Sequence, residues 1–162
     1  ANLPYYITTP ILMYLLESQI AFDSITVMVQ AEVASRLTAA PGSAEYGAIT
    51  ASVAYFGLAE KLFTVAAGNF YPAPKVDSAV VRINLYREKP VRPKSEEAFF
   101  KTIRAAFGQR RKTLVNALSA AFPDLSKEKI RAALEACGLD ERVRGERLPA
   151  ADFAALSDML FT

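Results

Sequence analysis

The chain has 162 residues, of which 52% are hydrophobic and 22% charged, with a formal net charge of +2. That composition excludes disorder or low complexity as a description of the whole, and no apolar run approaches the roughly 20 residues needed to cross a bilayer as a helix. One cysteine, Cys137, and no histidine leave no internal disulfide, no Cys/His metal site and no imidazole base, so a soluble, cytosolic protein whose chemistry works without histidine is expected.

In chain order, the first ten residues, ANLPYYITTP, begin on a turn-like Asn2-Leu3-Pro4 and not on a basic then apolar leader. Thr9-Pro10 predicts a helix start, with the Thr hydroxyl as cap and Pro in the first turn, and Ile11 to Glu17 reads as a buried helix. Ser24 to Gln30 places Ile25, Val27 and Val29 at period two and predicts a strand; Glu32 to Thr38 returns to helix. After a loop at Pro41-Gly42-Ser43, Tyr46, Ile49, Val53 and Phe56 recur at helical steps that end at Gly57. Strands over Lys61 to Ala66 and Ser78 to Tyr86 flank GNFYPAPK, where glycine and two prolines make Phe70 and Tyr71 loop aromatics. The alternation predicts an α/β layer structure over residues 1–86.

Residues 87–94, REKPVRPK, have the charge and prolines of a linker. Beyond it only helical periods remain. Ser95 is a predicted N-cap with Glu96 and Glu97 in the first turn, and Phe99, Phe100, Ile103 and Phe107 form an apolar stripe that Gly108 interrupts. Leu114, Val115, Leu118 and Phe122 continue it; Ile130 and Leu134 mark a helix closed by Gly138; Phe153, Leu156 and Leu160 mark the last. Residues 95–162 thus read as a small all-α domain.

Two places can carry chemistry. In Asn2-Leu3-Pro4-Tyr5, a side-chain amide oxygen and a neighbouring main-chain carbonyl are two acceptors able to hold both hydrogens of one amino group, while the Tyr5 ring stacks on the plane that bears it. An exocyclic amine on a flat base is the matching guest. Holding both hydrogens favours a pyramidal nitrogen with a usable lone pair, so positioning replaces base catalysis. Taken alone, the tetrapeptide reads first as a turn with a packing tyrosine, and its companions along the chain are what point to binding. The second place is Gln109 to Lys112, where Arg110, Arg111 and Lys112, with Lys101 and Arg104 one turn apart, form a candidate phosphate-binding face.

NLPYYITTPIL, VQAEVASRL, NFYPAPKVDSAVVRI and AFGQRRKTLVNAL, in this order, resemble the KsgA family of rRNA adenine dimethyltransferases, and the resemblance spans essentially the whole chain. It implies the C-terminal part of a Rossmann-like, S-adenosylmethionine-dependent methyltransferase domain followed by a helical rRNA-binding domain. By resemblance Asn2, Leu3, Pro4 and Tyr5 are the catalytic motif, Asn2 also touches the cofactor, Phe70 is the second aromatic wall of the adenine pocket, and Lys101, Arg104, Arg110, Arg111 and Lys112 grip RNA. The implied reaction is dimethylation of N6 on each of two adjacent adenosines in the 3′-terminal hairpin loop of 16S rRNA, with no metal and no membrane involved. Gln30, Glu32 and Arg36 match a family motif without an assigned chemistry, and Lys75 and Asp77 are expected to orient the Phe70 loop. Pro149 stands where the family pattern has a capping Ser.

The chain departs from that pattern in having no G-x-G fingerprint among its seven glycines and no strand ahead of Asn2. The expectation is a piece lacking the cofactor-binding half, inactive and without tight cofactor binding by itself, whose first strand leaves an exposed edge open to association. Two other functions compete: an Erm-type methyltransferase of large-subunit rRNA, and a non-catalytic RNA-binding factor in small-subunit assembly.

Overall fold

A computed structural model describes residues 1–18 and 20–162. The elements run α1 (Thr8–Glu17), β1 (Ser24–Gln30), α2 (Ala31–Leu37), α3 (Ala48–Phe56), β2 (Gly57–Val65), β3 (Ser78–Leu85), α4 (Glu96–Gly108), α5 (Leu114–Ala121), α6 (Lys127–Ala136) and α7 (Ala150–Leu160), with short 3-10 turns at Tyr5–Ile7, Ala67–Asn69 and Gly145–Arg147. The fold is α/β, and its packing divides into two units. Unit 1 comprises Ala1–Ala39 and Val53–Lys89; unit 2 comprises Ala40–Ser52 and Pro90–Thr162.

In unit 1 the sheet order is β1-β3-β2, and β3 is antiparallel to both neighbours. Register stacks Ile25 on Ile83 and Val27 on Val81, and these side chains are buried on the face against which α2 packs Ala34 and Leu37. The opposite face is mixed: Thr26 pairs with Arg82 and Arg82 with Glu60, all exposed, while Met28 opposes Val80 and Val80 opposes an exposed Phe63. Period-two alternation therefore buries Ile25, Val27, Val81 and Ile83 on one side and leaves the other more solvated, as in an antiparallel sheet covered on one face. A bulge interrupts the β2–β3 ladder between Lys61 and Phe63, so that Leu62 is the extra residue.

Three local expectations need correction. α1 starts at Thr8, not Thr9-Pro10, because a 3-10 turn over Tyr5–Ile7 already winds the chain and the Thr8 hydroxyl donates back to the Pro4 carbonyl at 3.0 Å. β2 starts at Gly57, four residues before Lys61: the glycine ends α3 and opens the strand in one step. Among the described residues no strand precedes Asn2, but residues 1–3 lie alongside β1 through an isolated parallel bridge: Met28 N–H donates to the Ala1 carbonyl at 2.8 Å and Leu3 N–H to the Met28 carbonyl at 3.2 Å. That edge of β1 is therefore engaged at Met28, and it is β2 that has no partner on its far side among the described residues.

Unit 2 is built from helices whose apolar faces meet. α4 packs on α5 and α7, and α6 packs on α5 and α7, burying Phe99, Ile103, Leu118, Leu134, Phe153 and Leu156. Each such side chain contributes about 1.5–3 kcal/mol by leaving water. The Ser95 hydroxyl caps α4 by accepting from Ala98 N–H at 3.2 Å. Gly138, at φ +69, closes α6, its N–H donating to the Glu135 carbonyl while Leu139 N–H reaches the Leu134 carbonyl. Pro149 occupies the cap position of α7 and supplies no side-chain bond.

Residues 40–52 pack with these helices, which nothing in their sequence announced. Tyr46 is buried, its hydroxyl donating to the Leu148 carbonyl at 2.7 Å, and Gly42 N–H donates to the Glu146 carbonyl at 2.7 Å. Burial, reinforced by the negative charge of Asp152, pushes the Tyr46 phenol up to about 12.

Candidate functional site

The tetrapeptide is placed by backbone pairing. Asn2 bridges Met28 at the outer edge of β1 with its side chain exposed, whereas Leu3 is buried and anchors the segment. The Pro4 carbonyl is occupied by Ile7 N–H and the Thr8 hydroxyl. Among the described residues, no hydrogen bond engages the Leu3 carbonyl or the Asn2 amide. The Asn2 amide and the adjacent Leu3 carbonyl are thus both left open, on consecutive residues beside the edge of β1.

Tyr5 is half-buried and held by its tip, the phenol oxygen lying 2.6 Å from Ser78 Oγ. Ser78 is wholly buried as the first residue of β3 and pairs with Gln30 at the end of β1. This fixes the ring from 73 residues away in the chain. Ser78 is a positioning residue that sequence reasoning missed: one serine at a strand start carries no signal of its own.

Phe70 follows the 3-10 turn Ala67–Asn69 and is half-buried, its N–H donating to the Ala67 carbonyl at 3.2 Å. The turn is tied down by Asp77, whose Oδ1 accepts Ala67 N–H at 2.9 Å. Tyr71, next in sequence, is fully exposed. Asp77 also accepts Ala31 N–H at its main-chain carbonyl, 3.0 Å away. The adjacent Asp77 and Ser78 thus anchor the Phe70 turn and Tyr5 respectively, so both aromatic residues are referenced to the start of β3.

The motif residues Glu32 and Arg36 form an ion pair one turn apart on α2, both exposed. Such pairs contribute little to stability.

The basic residues lie in unit 2 and divide by environment. Arg111, Lys112 and Arg104 are exposed. The Lys101 ammonium lies 2.7 Å from Glu97, one turn back on α4, and that hydrogen bond, with the charge behind it, lowers the Glu97 carboxyl. Arg110 is turned onto its own unit: its guanidinium donates to the Ala44 carbonyl at 2.7 Å and the Tyr46 carbonyl at 3.2 Å. It bridges residues 40–52 to the α4–α5 turn, so with Lys101 paired to Glu97 the expected row of five free cations is shorter by two.

No group of three His, Cys, Asp or Glu side chains among the described residues could hold a metal ion, and no helix is long and apolar enough to cross a membrane. The glycines lie at 42, 47, 57, 68, 108, 138 and 145, so no glycine-rich cradle adjoins Asn2 in sequence.

Comparison with known proteins gives a consistent result. Residues 1–161 match the family model described as ribosomal RNA adenine dimethylase. Ribosomal RNA small subunit methyltransferase A of Geobacillus thermodenitrificans is 49% identical over 162 residues, covering 99% of this chain and 55% of its own length. The protein of the same name from Alkaliphilus metalliredigens is 45% identical over 157 residues, covering 97% of this chain and 55% of its own. The chain therefore spans about half the length of these relatives. Among solved structures, a dimethyladenosine transferase from Plasmodium falciparum superposes with a TM-score of 0.83 at 25% identity, covering 96% of this chain and 63% of that one. The 23S rRNA methyltransferase ErmE superposes with a TM-score of 0.67 at 22% identity, covering 99% and 64% respectively, a likeness of fold.

Proposed function

This chain belongs to the ribosomal RNA adenine dimethylase family, and from that premise we propose that the protein carrying it dimethylates N6 of two adjacent adenosines in the 3′-terminal hairpin loop of 16S rRNA. The observation that carries the proposal is the open acceptor pair, the Asn2 amide and the Leu3 carbonyl, set beside a tyrosine locked at its tip by Ser78. The relatives named for the small subunit favour this target over the large-subunit one.

An adenine reaching this site has been turned out of its stack, and Tyr5 and Phe70 supply aromatic faces for it. Asn2 Oδ1 and the Leu3 carbonyl accept the two hydrogens of the exocyclic amine and draw its lone pair out of conjugation. S-adenosylmethionine, when bound, would supply a methyl group activated by the positive charge on its sulfur, and the lone pair freed by Asn2 and Leu3 is the group that would accept it. The proton leaves the nitrogen for solvent, so no histidine is needed. Of this chain's residues, Asn2 is the one that would touch the donor; the residues here fit the acceptor half of the reaction. The helical unit holds the RNA through Arg104, Arg111 and Lys112, with Lys101 and Arg110 restrained by protein partners.

The test uses the full-length protein and small subunits isolated without the modification, with dimethyladenosine counted by mass spectrometry. Asn2→Ala should lower the rate at least about a hundredfold, the scale of losing one preorganised polar contact to a reacting group. Subunit binding should persist and remain salt-sensitive. Unchanged methylation would refute the assignment of Asn2, and subunit binding by a wild-type protein that transfers no methyl group would favour a non-catalytic assembly role.

A further inference from the structure

Gln30, Glu32, Lys75 and Asp77 come from two sequence runs that this mechanism leaves unused. In the structure they line, with Ala31 and Val76, one open cavity of about 410 Å³, within the size range of small-ligand sites. Two connections place it beside the acceptor site. Gln30 pairs with Ser78, the partner of the Tyr5 hydroxyl. Asp77 holds the turn that leads into Phe70, and its carbonyl accepts the N–H of Ala31. The cavity therefore begins where both aromatic residues are anchored.

Its lining has the chemistry of a nucleotide site. Gln30 carries an amide that donates and accepts, so it can read a base edge. Val76, 46% exposed, offers apolar surface for the plane of a base. Lys75 is exposed and supplies a cation for a phosphate, while the Glu32 carboxylate is paired with Arg36. We propose that this cavity takes the nucleotide adjoining the flipped adenosine, its base edge on Gln30 and its phosphate on Lys75; the proposal rests on the rRNA-adenosine reading above. Flipping one base strips a neighbour of its stack, and seating that neighbour offsets the loss and fixes which of two adjacent adenosines enters.

The test measures binding and methyl transfer by the full-length protein on a hairpin RNA, in its native form and with the nucleotide on either side of the target made abasic. Gln30→Ala should raise KM for the native hairpin about tenfold, the scale of one base-edge contact, with kcat unchanged within about twofold. One abasic hairpin should give wild-type protein the same rise and leave Gln30→Ala no further loss. Lys75→Gln should reduce the slope of log Kd against log salt by about 0.7, one phosphate contact to single-stranded RNA. Both variants should melt with the wild type. Wild-type KM and salt slope in the variants, with wild-type methylation intact, would overturn the nucleotide site alone, as would a weakened cofactor affinity with RNA binding unchanged. Absence of methyl transfer by the wild-type protein would instead remove the parent reading and this one with it.

Discussion

The Tyr5 hydroxyl has a single described partner, the wholly buried Ser78 Oγ. Tyr5→Phe keeps the ring and leaves a buried hydroxyl unpaired, a loss of about 1–3 kcal/mol. The expected outcome is a lower melting temperature with methyl transfer by the full-length protein reduced only a few-fold, whereas Tyr5→Ala should abolish transfer. Arg110 and Arg111 are neighbours with different duties. Arg110→Ala removes two bonds to the carbonyls of Ala44 and Tyr46 and should cost about 1 kcal/mol in a denaturant titration; Arg111→Ala should leave stability alone and weaken RNA binding. The tetrapeptide was legible because Asn, Pro and Tyr are few in kind and adjacent. Ser78 was not, because its meaning lies in a contact across 73 positions, and Arg110 resembled its neighbours until its carbonyl partners were placed.

Elements with strong periodicity were read from sequence almost to the residue. β1 matches its alternation of Ile25, Val27 and Val29, and α4 its cap at Ser95, because burial of one face and one hydroxyl decide each. β2 was read short because Leu58, Ala59 and Glu60 have no β-branched residue to mark a strand; pairing with β3 supplies what propensity lacks. The junction at Gly57 depends on close approach, for a Cβ there would overlap the Asn84 carbonyl oxygen on β3. Gly57→Ala should therefore destabilise the protein by about 1–3 kcal/mol, and hydrogen exchange should show the added opening concentrated in β2 and β3 amides.

At the scale of the molecule, local signals placed a linker over 87–94 and gave no hint that residues 40–52 pack with the C-terminal helices. Those residues read as a loop and a helix start; their role rests on buried Tyr46, whose hydroxyl donates to the Leu148 carbonyl, and on the main-chain bond from Gly42 N–H to the Glu146 carbonyl, about a hundred positions away. The Tyr46 phenol gives a pH signature for that packing. Its folded value of about 12 exceeds the ordinary 10, so the neutral form is favoured by folding. Its contribution is complete below pH 10 and is lost as pH rises from 10 towards 12. Thermal melts of the wild type should fall faster over that interval than those of Tyr46→Phe, which should start lower from loss of the bond to Leu148.

The bulge at Leu62 makes β2 one residue longer than the ladder it completes: Lys61 opposes Val81 and Phe63 opposes Val80, with Leu62 between them. In genetic terms this is a slack position. An in-frame deletion of that codon removes a residue without shifting any other β2–β3 pair, whereas deleting the codon for Ala59 moves Glu60 and Lys61 each one place along β3 and turns them to the opposite face. Among descendants of this gene, length variation in the strand should accumulate at that point and be purged on either side of it.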